Sequence, residues 1–465
     1  MGQPNFLLIV CDSLRADYLS TYGGSVDAGV FDSIASEGTV FERAYAAGPG
    51  SPISHAALFA GQYPSSSGVG AQRTLPADIP LMAAHLKDHG YETFGMPGPS
   101  RIGSHWGYNR GFNEYLEKWS DIPSSLSFTD LRAAIEDPEL VAPMPTEFLR
   151  RARRGSDKYT SYLLAVFDRK VRGLDSPYFA FVNITTVHTP YDPPRPYKQE
   201  ATPSLVRPRT GLGDMLGGTE YFKNNDLRFD RITAAQIHEG VPRYYADSSY
   251  LTDAELEVLK SWYSASIRYL DYQLSAVLDK LRAAGEFENT VIILTADHGE
   301  GLGDHGLLKH MFSHFESVLG VPLVMTGPGV PVCRRSDLVS LIDVFPTMCD
   351  LAGIPPSPRL DGRSLFDHDS EERSGVFAEN GSRELSEVYR KYLSRHEYER
   401  IAGALKSVRT SEHLFTIDST GEERLYELPC EVKIPHDEGP VNKMRAMIEN
   451  ELGSGFAPGS GTQEN

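Results

Sequence analysis

The chain of 465 residues has few cysteines, no long apolar run and no excess of positive charge. Its four cysteines, Cys11, Cys333, Cys349 and Cys430, lack the spacing of a zinc site, so we expect free thiols in a reducing compartment. Apolar runs such as Phe6–Cys11 are too short to span a bilayer, and no cationic, apolar leader precedes them. The sequence therefore predicts a cytoplasmic protein without a membrane span.

The charge balance is acidic, with a formal net charge of −18 from 45 basic and 63 acidic residues. An acidic chain gains little from phosphate backbones, which argues against nucleic acid as a partner. Its field also disfavours anionic substrates unless a metal ion or local cations reverse it. Apolar residues make up 40% of the chain, as in an ordinary globular protein.

Short continuous apolar runs predict strands that are covered on both faces of a parallel sheet. The runs are residues 6–11, 178–184 and 290–295, with a weaker fourth at 321–325. The first ends at Asp12, the second leads to His188, and the third leads to Asp297 and His298. Because ligands of open α/β sheets bind at the carboxyl ends of the strands, we expect a polar site along one sheet edge.

Helical signals lie between these runs. A capping box at residues 252–255 is followed by apolar residues at steps of three and four until Gly285, which predicts a long crossover helix. Strands that alternate with helices indicate an α/β fold.

The domain organisation follows from changes in composition. We expect a catalytic α/β domain over residues 1–374, with the irregular stretch 192–250 as an insertion or lid. Short strands with turns between them predict a small antiparallel subdomain over 375–452. Residues 453–465 resemble a disordered tail.

Two segments carry candidate chemistry. In TADHGEGLGDHG (295–306), a carboxylate and an imidazole stand side by side on a glycine-rich loop, which favours a divalent metal site over a plain polar turn. In AGPGSPISHAALFAGQYP (47–64), Ser51 stands where a helix is expected to begin. The N–H groups and dipole there suit a nucleophilic alkoxide or a bound oxyanion, but an ordinary N-cap serine fits equally well.

Lone histidines are more often structural than catalytic. His188 follows a predicted strand, while His310 and His314 follow the Asp297 loop. Their position after strand ends favours functional roles for His188 and His310.

Taken in order, the segments resemble a sulfatase-type member of the alkaline phosphatase superfamily over roughly residues 3–430. NFLLIVCDSLRADYL resembles the family's opening metal-binding strand, FDSIASEGTVFERAYA the helix leading to the nucleophile, and SPISHAALFAGQYP the sulfatase signature. VHTPYDPP, TADHGEGLGDHG and the final VRTSEHLFTID and EERLYELP follow in the family's order.

The resemblance implies an α/β/α sandwich with a large, mostly parallel sheet, and one divalent cation, with Ca²⁺ expected and Mn²⁺ or Zn²⁺ as alternatives. The positions that match metal ligands are Asp12, Asp297 and His298, together with the nucleophile Ser51. The positions that match groups contacting the anion or protonating the leaving group are His188, His310 and, in a competing register, Lys309. His55 and Arg101 would also counter the charge of the anion.

The sequence departs from the family pattern at three places. The usual lysine of the block after the signature is absent, and Arg101 is the nearest cation. Ser13 stands where sulfatases usually have a second aspartate, so one carboxylate ligand is missing. The signature has Ser51 in place of the usual cysteine, and Ile53 and His55 in place of the proline or alanine and the arginine. The signal for oxidation to formylglycine is therefore broken, and the chain is most similar to the branch with a Ser or Thr nucleophile and a histidine.

These features predict a metal-dependent hydrolase that cleaves a sulfate or phosphate/phosphonate ester of a small molecule or glycan through Ser51. An unmodified serine cannot expel sulfate by returning to an aldehyde, which favours phosphoester chemistry somewhat. A phosphodiesterase, a phospho- or sulfo-group transferase and a binding protein that has lost turnover are the alternatives.

Overall fold

The computed structural model describes residues 2–69, 74–117, 160–175, 177–201, 232, 235–236, 240–310, 313–367, 371–435 and 437–455. Much of the predicted insertion, at 202–231, lies outside these residues, and so does the predicted tail from residue 456 onward. Among the described helices, none is both long enough and apolar enough to cross a membrane.

The described strands are β1 (Asn5–Cys11), β2 (Gly38–Tyr45), β3 (Glu92–Met96), β4 (Glu114–Tyr115), β5 (Tyr178–Ile184), β6 (Thr290–Thr295), β7 (Gly301–Leu302), β8 (Leu308–Lys309), β9 (Gly320–Thr326), β10 (Cys333–Ser340), β11 (Val376–Asn380), β12 (Leu405–Arg409), β13 (His413–Asp418), β14 (Glu423–Glu427) and β15 (Val432–Ile434). Eight of them form the central sheet in the order β10-β2-β9-β6-β1-β5-β3-β4. This large, mostly parallel sheet with its helices confirms the predicted α/β/α fold class.

The centre of the sheet positions the candidate site. β1 lies between β5 and β6 and is parallel to both. All three strands are buried along their whole length, which explains why each appears in the sequence as an unbroken apolar run. Cys11 is opposite Ile184 and Val10 is opposite Thr295, so the three strands end at nearly the same level.

β9 differs from the expectation for the fourth apolar run. It is antiparallel to both neighbours, β2 and β6. The described residues between β6 and β9 form two-residue strands and short helical turns, and none of these residues belongs to a long crossover helix. The chain therefore returns along the sheet in the opposite direction, as antiparallel neighbours permit.

The described α-helices are α1 (Gly29–Ser36), α2 (Ser51–Ala60), α3 (Pro64–Ser67), α4 (Met82–Asp88), α5 (Thr160–Val171), α6 (Arg195–Ala201), α7 (Gly240–Ala246), α8 (Asp253–Ala284), α9 (Glu316–Leu319), α10 (Val344–Ala352), α11 (Glu387–Tyr392), α12 (Arg395–Ala402) and α13 (Glu438–Leu452). The longest, α8, is the predicted crossover helix. The Thr252 hydroxyl caps its first turn with Glu255 as the reciprocal partner, and Gly285 ends it at a φ of +73°.

The resemblance implied a single helix in the segment before the nucleophile, but the structure has a helix followed by a strand. Residues 29–36 form α1, and residues 38–45 form the strand β2. Gly38 is the first residue of β2, and a Cβ at this position would lie 1.9 Å from the carbonyl oxygen of Met325 on β9. The backbones of β2 and β9 approach so closely here that the position requires glycine.

The C-terminal strands form a second sheet, in the antiparallel order β11-β12-β13-β14-β15. α13 packs on it through Val441, Met444 and Ile448, in an apolar cluster that also contains Ala57 of α2. The small antiparallel sheet was expected, and its core is continuous with the helix that carries Ser51.

Candidate active site

The first site residue stands where β1 ends. Asp12 is fully buried, and its N–H donates to Ile184 O (2.9 Å), which continues the β1–β5 pairing by one residue. Ser13 follows at a φ of +65°, and its hydroxyl donates to Asp12 Oδ1 (2.9 Å). The Tyr263 hydroxyl on α8 donates to Ser13 O (2.7 Å) and accepts from Arg15 N (2.9 Å), so the long helix fixes this turn.

The second and third site residues follow the neighbouring strand β6. Asp297 Oδ1 accepts from Ser13 N (3.2 Å) and from His298 N (2.9 Å). His298 Nδ1 donates to Gly299 O (2.8 Å), which leaves Nε2 as the ring's lone-pair atom. Nε2 lies 3.4 Å from Asp297 Oδ2 and 3.9 Å from Asp12 Oδ1.

Ser51 is the first residue of α2, and Pro52 follows it in the first turn, where the missing N–H of proline has no cost. Gly50 precedes it at a φ of +96°, a left-handed conformation that glycine adopts readily. The Ser51 hydroxyl lies 3.4 Å from Asp12 Oδ2 and 3.4 Å from His298 Nε2. The start of α2 therefore faces the carboxyl ends of β1 and β6.

The acidic and imidazole groups fit a divalent cation. One ligand atom from each of Asp12, Asp297 and His298 lies within 4.8 Å of the other two. Asp297 Oδ2 is buried and has no hydrogen-bond partner among the described residues. An ion between these atoms would satisfy this oxygen and compensate two buried carboxylates.

The pKa shifts of Asp12 and Asp297 also favour a cation between them. Burial raises the pKa of Asp297, and the charge of Asp12 raises it further. Burial would also raise the pKa of Asp12, but the imidazoles of His188, His298 and His310 hold it below its ordinary value. When two buried carboxyl groups are close together, ionisation of one raises the pKa of the other. A positive charge between them allows both to be ionised.

His188 and His310 lie close to each other and beside His298, one of the metal-ligand candidates. The His310 ring stacks on the His298 ring with 4.1 Å between centroids, and the His188 ring lies 5.5 Å from that of His310. Lys309 adopts a φ of +64°, and burial lowers the pKa of its amine next to Glu300. Of the two competing positions, His310 is the one whose side chain contacts the metal-ligand candidates.

His55 occupies a different place from the one expected of an anion-contacting group. His55 is fully buried: its Nδ1 donates to Ser51 O (2.8 Å), and its Nε2 accepts from the Asn183 amide (3.1 Å). Both ring nitrogens are used, so His55 supports α2 and is not available to an anion. Arg101 is exposed on a turn that packs against α2, and its charge adds to burial in lowering the pKa of Arg383 to about 10.

Sequence reasoning missed Glu300, Asn183 and Tyr263. Glu300 is fully buried and pairs with His310 (Oε1 to Nδ1, 3.0 Å). The motif GEGLGDHG showed this glutamate, but nothing local distinguished it from a loop residue. His314, which sequence analysis grouped with His310, lies instead between Ser407 Oγ (2.8 Å) and Asn380 Oδ1 (2.9 Å) of the C-terminal sheet.

Comparisons with known proteins place this chain among ester hydrolases. A family profile described as Sulfatase matches residues 4–354. Arylsulfatase K of Canis lupus familiaris is 28% identical over 390 residues, which cover 80% of this chain and 67% of the relative. The Delta 4,5-hexuronate-2-O-sulfatase of Bacteroides thetaiotaomicron is 24% identical over 446 residues, covering 92% of this chain and 82% of the relative.

Solved structures show the same fold. The phosphonate monoester hydrolase of Agrobacterium radiobacter superposes with a TM-score of 0.71 at 24% identity, covering 97% of this chain and 95% of that one. The C-terminal sheet is included in this coverage, so the match extends beyond the central sheet.

Proposed function

This chain belongs to the sulfatase family, and from that premise we propose that it is a metal-dependent ester hydrolase with Ser51 as nucleophile. The observation that carries the proposal is the position of the Ser51 hydroxyl, 3.4 Å from both Asp12 Oδ2 and His298 Nε2 at the first turn of α2. A hydroxyl held between a carboxylate and an imidazole at a helix N-terminus is placed to become an alkoxide.

Asp12, Asp297 and His298 would hold the cation. When bound, a divalent ion lowers the pKa of a neighbouring hydroxyl and offsets negative charge on the ester oxygens. The donor set contains one imidazole and few oxygens, which suits Mn²⁺ or Zn²⁺ better than Ca²⁺, an ion that takes six to eight oxygen ligands. Ser13 supplies hydrogen bonds to both carboxylates in place of a further ligand.

Ser51 Oγ forms a bond to the sulfur or phosphorus atom, and its proton passes to water. The bond to the leaving oxygen breaks with its electron pair, and a protonated imidazole of the site supplies the proton that makes the alcohol. Water then attacks the covalent serine ester and gives one proton to the same imidazole, while Ser51 regains its own from solvent. These steps return the enzyme to its starting state.

The substrate class follows from the nucleophile. A formylglycine hydrate can release sulfate by elimination, whereas an unmodified serine ester must be broken by attack at sulfur or phosphorus. We therefore place phosphate and phosphonate esters first and sulfate esters second. The relatives named as sulfatases support the second class.

The test is Ser51→Ala, assayed on aryl sulfate, phosphate monoester, phosphodiester and phosphonate substrates with added Mn²⁺, Zn²⁺ or Ca²⁺. We expect a loss of at least about 10³-fold in kcat on the best substrate. Ser54→Ala is the matched control, because Ser54 lies on the same helix turn and its hydroxyl donates to the backbone carbonyl of Asp297 (2.5 Å). It should stay within about tenfold of the wild type. Equal activities of Ser51→Ala and the wild type would end the proposal.

A further inference from the structure

The β7–β8 hairpin forms one side of the candidate site. The two strands are antiparallel, with Gly301 opposite Lys309, and the chain reverses over residues 303–307. Glu300 stands directly before the hairpin, and His310 stands directly after it. Each strand has only two residues, and a two-stranded hairpin of this size is not stable by itself. Its conformation therefore depends on contacts with neighbouring elements.

One such contact comes from the turn after β1. Asp304, in the reversing segment, accepts a hydrogen bond from the buried Arg15 guanidinium (Oδ2 to Nη1, 2.6 Å). The same Nη1 donates to Glu300 O (3.1 Å), at the base of the hairpin. Arg15 therefore ties the base and the reversing segment to the central sheet.

A second contact comes from the C-terminal sheet. His305, next to Asp304, donates from Nε2 to Glu431 Oε2 (2.9 Å), and its ring stacks on Phe315 with 3.8 Å between centroids. Glu431 is buried in the turn before β15. His305 and Glu431 both have a positive φ, +50° and +52°, which is uncommon outside glycine. Such conformations persist where the surrounding contacts hold them, and here the two residues hold each other.

The carboxylate of Glu431 is itself firmly held. Its Oε1 accepts from Glu316 N (2.7 Å) and from the buried guanidinium of Arg409 on β12. Arg409 also pairs with Glu316 Oε2 (3.0 Å) and lies over the Tyr45 ring, at the end of β2. A buried carboxylate with several such hydrogen bonds has little freedom to move. Glu431 is therefore a fixed point to which the hairpin is attached.

We propose that Glu431 is a positioning residue: through His305, it holds the β7–β8 hairpin in the conformation that binds the ester. This inference rests on the proposed function. Without the contact, the hairpin has to become ordered when the ester binds, and the cost in free energy weakens the binding of the ester and of the transition state equally. The loss then falls on KM, with kcat nearly unchanged.

The experiment compares His305→Phe with the wild type. Phenylalanine keeps a ring beside Phe315 but cannot donate to Glu431, which still has its ion pair with Arg409. We expect KM of the best substrate to rise about tenfold, with kcat within about threefold and metal content unchanged. Measured by mass spectrometry, the backbone amides of residues 303–307 should exchange with deuterium about tenfold faster than in the wild type.

A rescue variant separates the hydrogen bond from ring packing. His305→Gln loses the ring but keeps an N–H donor that can reach Glu431, so KM and exchange should lie within about threefold of the wild type. Glu431→Gln should raise KM as His305→Phe does. Because both changes remove the same contact, the double variant should lose no more than about twofold beyond Glu431→Gln alone.

His413→Phe is the matched control. His413 lies on β13 of the same sheet, and its side chain is 25% exposed, close to the 29% of His305. Its Nδ1 is 4.0 Å from a carboxylate oxygen of Glu412. This variant should change neither KM nor the exchange of the hairpin amides.

Unchanged KM and unchanged exchange in His305→Phe would overturn the inference, and so would a fall in kcat or in bound metal at constant KM. A His305→Gln variant that behaves like His305→Phe would also overturn it, because the ring and not the hydrogen bond would then hold the hairpin. The exchange measurement does not need turnover. It therefore tests the contact separately from the proposed function, which fails through an active Ser51→Ala.

Discussion

The two halves of the site come from different parts of the fold. The sheet-edge centre consists of Asp12, Asp297, His298 and Ser51. These residues lie at the ends of β1 and β6 and at the start of α2, and all four are buried. The rim consists of His188, Lys309, His310 and Arg101. It is supplied by loops, turns and the two-residue strand β8, and Arg101 is exposed. The centre is therefore fixed by strand register, and the rim by the course of the loops.

This difference separates residues that should be required for every ester from residues whose contribution should depend on the ester. Strand pairing sets Asp12 and Asp297 to within one residue of the same level, and that arrangement holds as long as the sheet does. Loops change more readily than the strands that carry them. Two relatives of similar identity have names that indicate different substrates, an arylsulfatase and a hexuronate sulfatase. Damage to the centre should abolish turnover, and damage to the rim should change which ester is preferred.

Removal of the metal should cause the largest effect on the centre. We expect dialysis against a chelator to lower kcat by at least about 100-fold and to lower the melting temperature, because a ligand at 100 times its Kd stabilises the native state by about 2.7 kcal/mol. Atomic emission measures the metal, and calorimetry the melting temperature. Add-back of Mn²⁺ or Zn²⁺ is the control and should restore both. Full activity in a chain shown to be metal-free would remove the centre from the mechanism.

A change at the rim should be smaller and should appear in KM. Arg101 lies near enough to Arg383 to affect its pKa, and two guanidinium groups in proximity favour an anion. We expect Arg101→Ala to raise KM about tenfold, or about 1.4 kcal/mol, with kcat changed less than about threefold. Arg101→Lys, which keeps the charge, is the control. A collapse of kcat at constant KM would place Arg101 in the centre instead.

Near neutral pH the smallest effect concerns His314, which joins the loop after the centre to the C-terminal sheet. Burial lowers its pKa to about 3 from an ordinary value of 6.5. The unfolded chain therefore binds a proton between these values that the native chain does not, so His314 costs stability as the pH falls below about 6.5 and costs none above it.

The variant His314→Gln can keep both hydrogen bonds without titrating. Its stability relative to the wild type should rise on acidification by up to about 1.4 kcal/mol per pH unit between pH 6 and 4, as measured by urea unfolding. A difference that does not change with pH would show that His314 is solvated in the folded chain.

The sequence predicted the centre better than the rim, for a physical reason. A strand buried on both faces must be apolar throughout, so β1, β5 and β6 were visible as runs, and the residues that end them could be assigned to one edge. β2 was hidden because its requirement for Gly38 comes from a backbone contact with β9 that only the folded sheet makes.

The roles of Glu300 and His55 also depend on tertiary contacts. Glu300 meets His310 only because the loop turns back between them, and nothing in the intervening residues encodes that distance. His55 was expected at the anion from its place in the signature. The structure instead places its ring between Ser51 O and Asn183, a residue of β5 far away in the sequence.

The central claim is that Ser51, unmodified, takes the transferred group next to the two aspartates and the imidazole. It is tested most directly by mass spectrometry of the peptide containing Ser51, after rapid acid quench of enzyme turning over a fast substrate. The account predicts an intact serine before reaction, and a fraction that carries one phosphoryl or sulfuryl group on Ser51 during turnover. An aldehyde at residue 51, or an adduct on another residue during the same turnover, would contradict it.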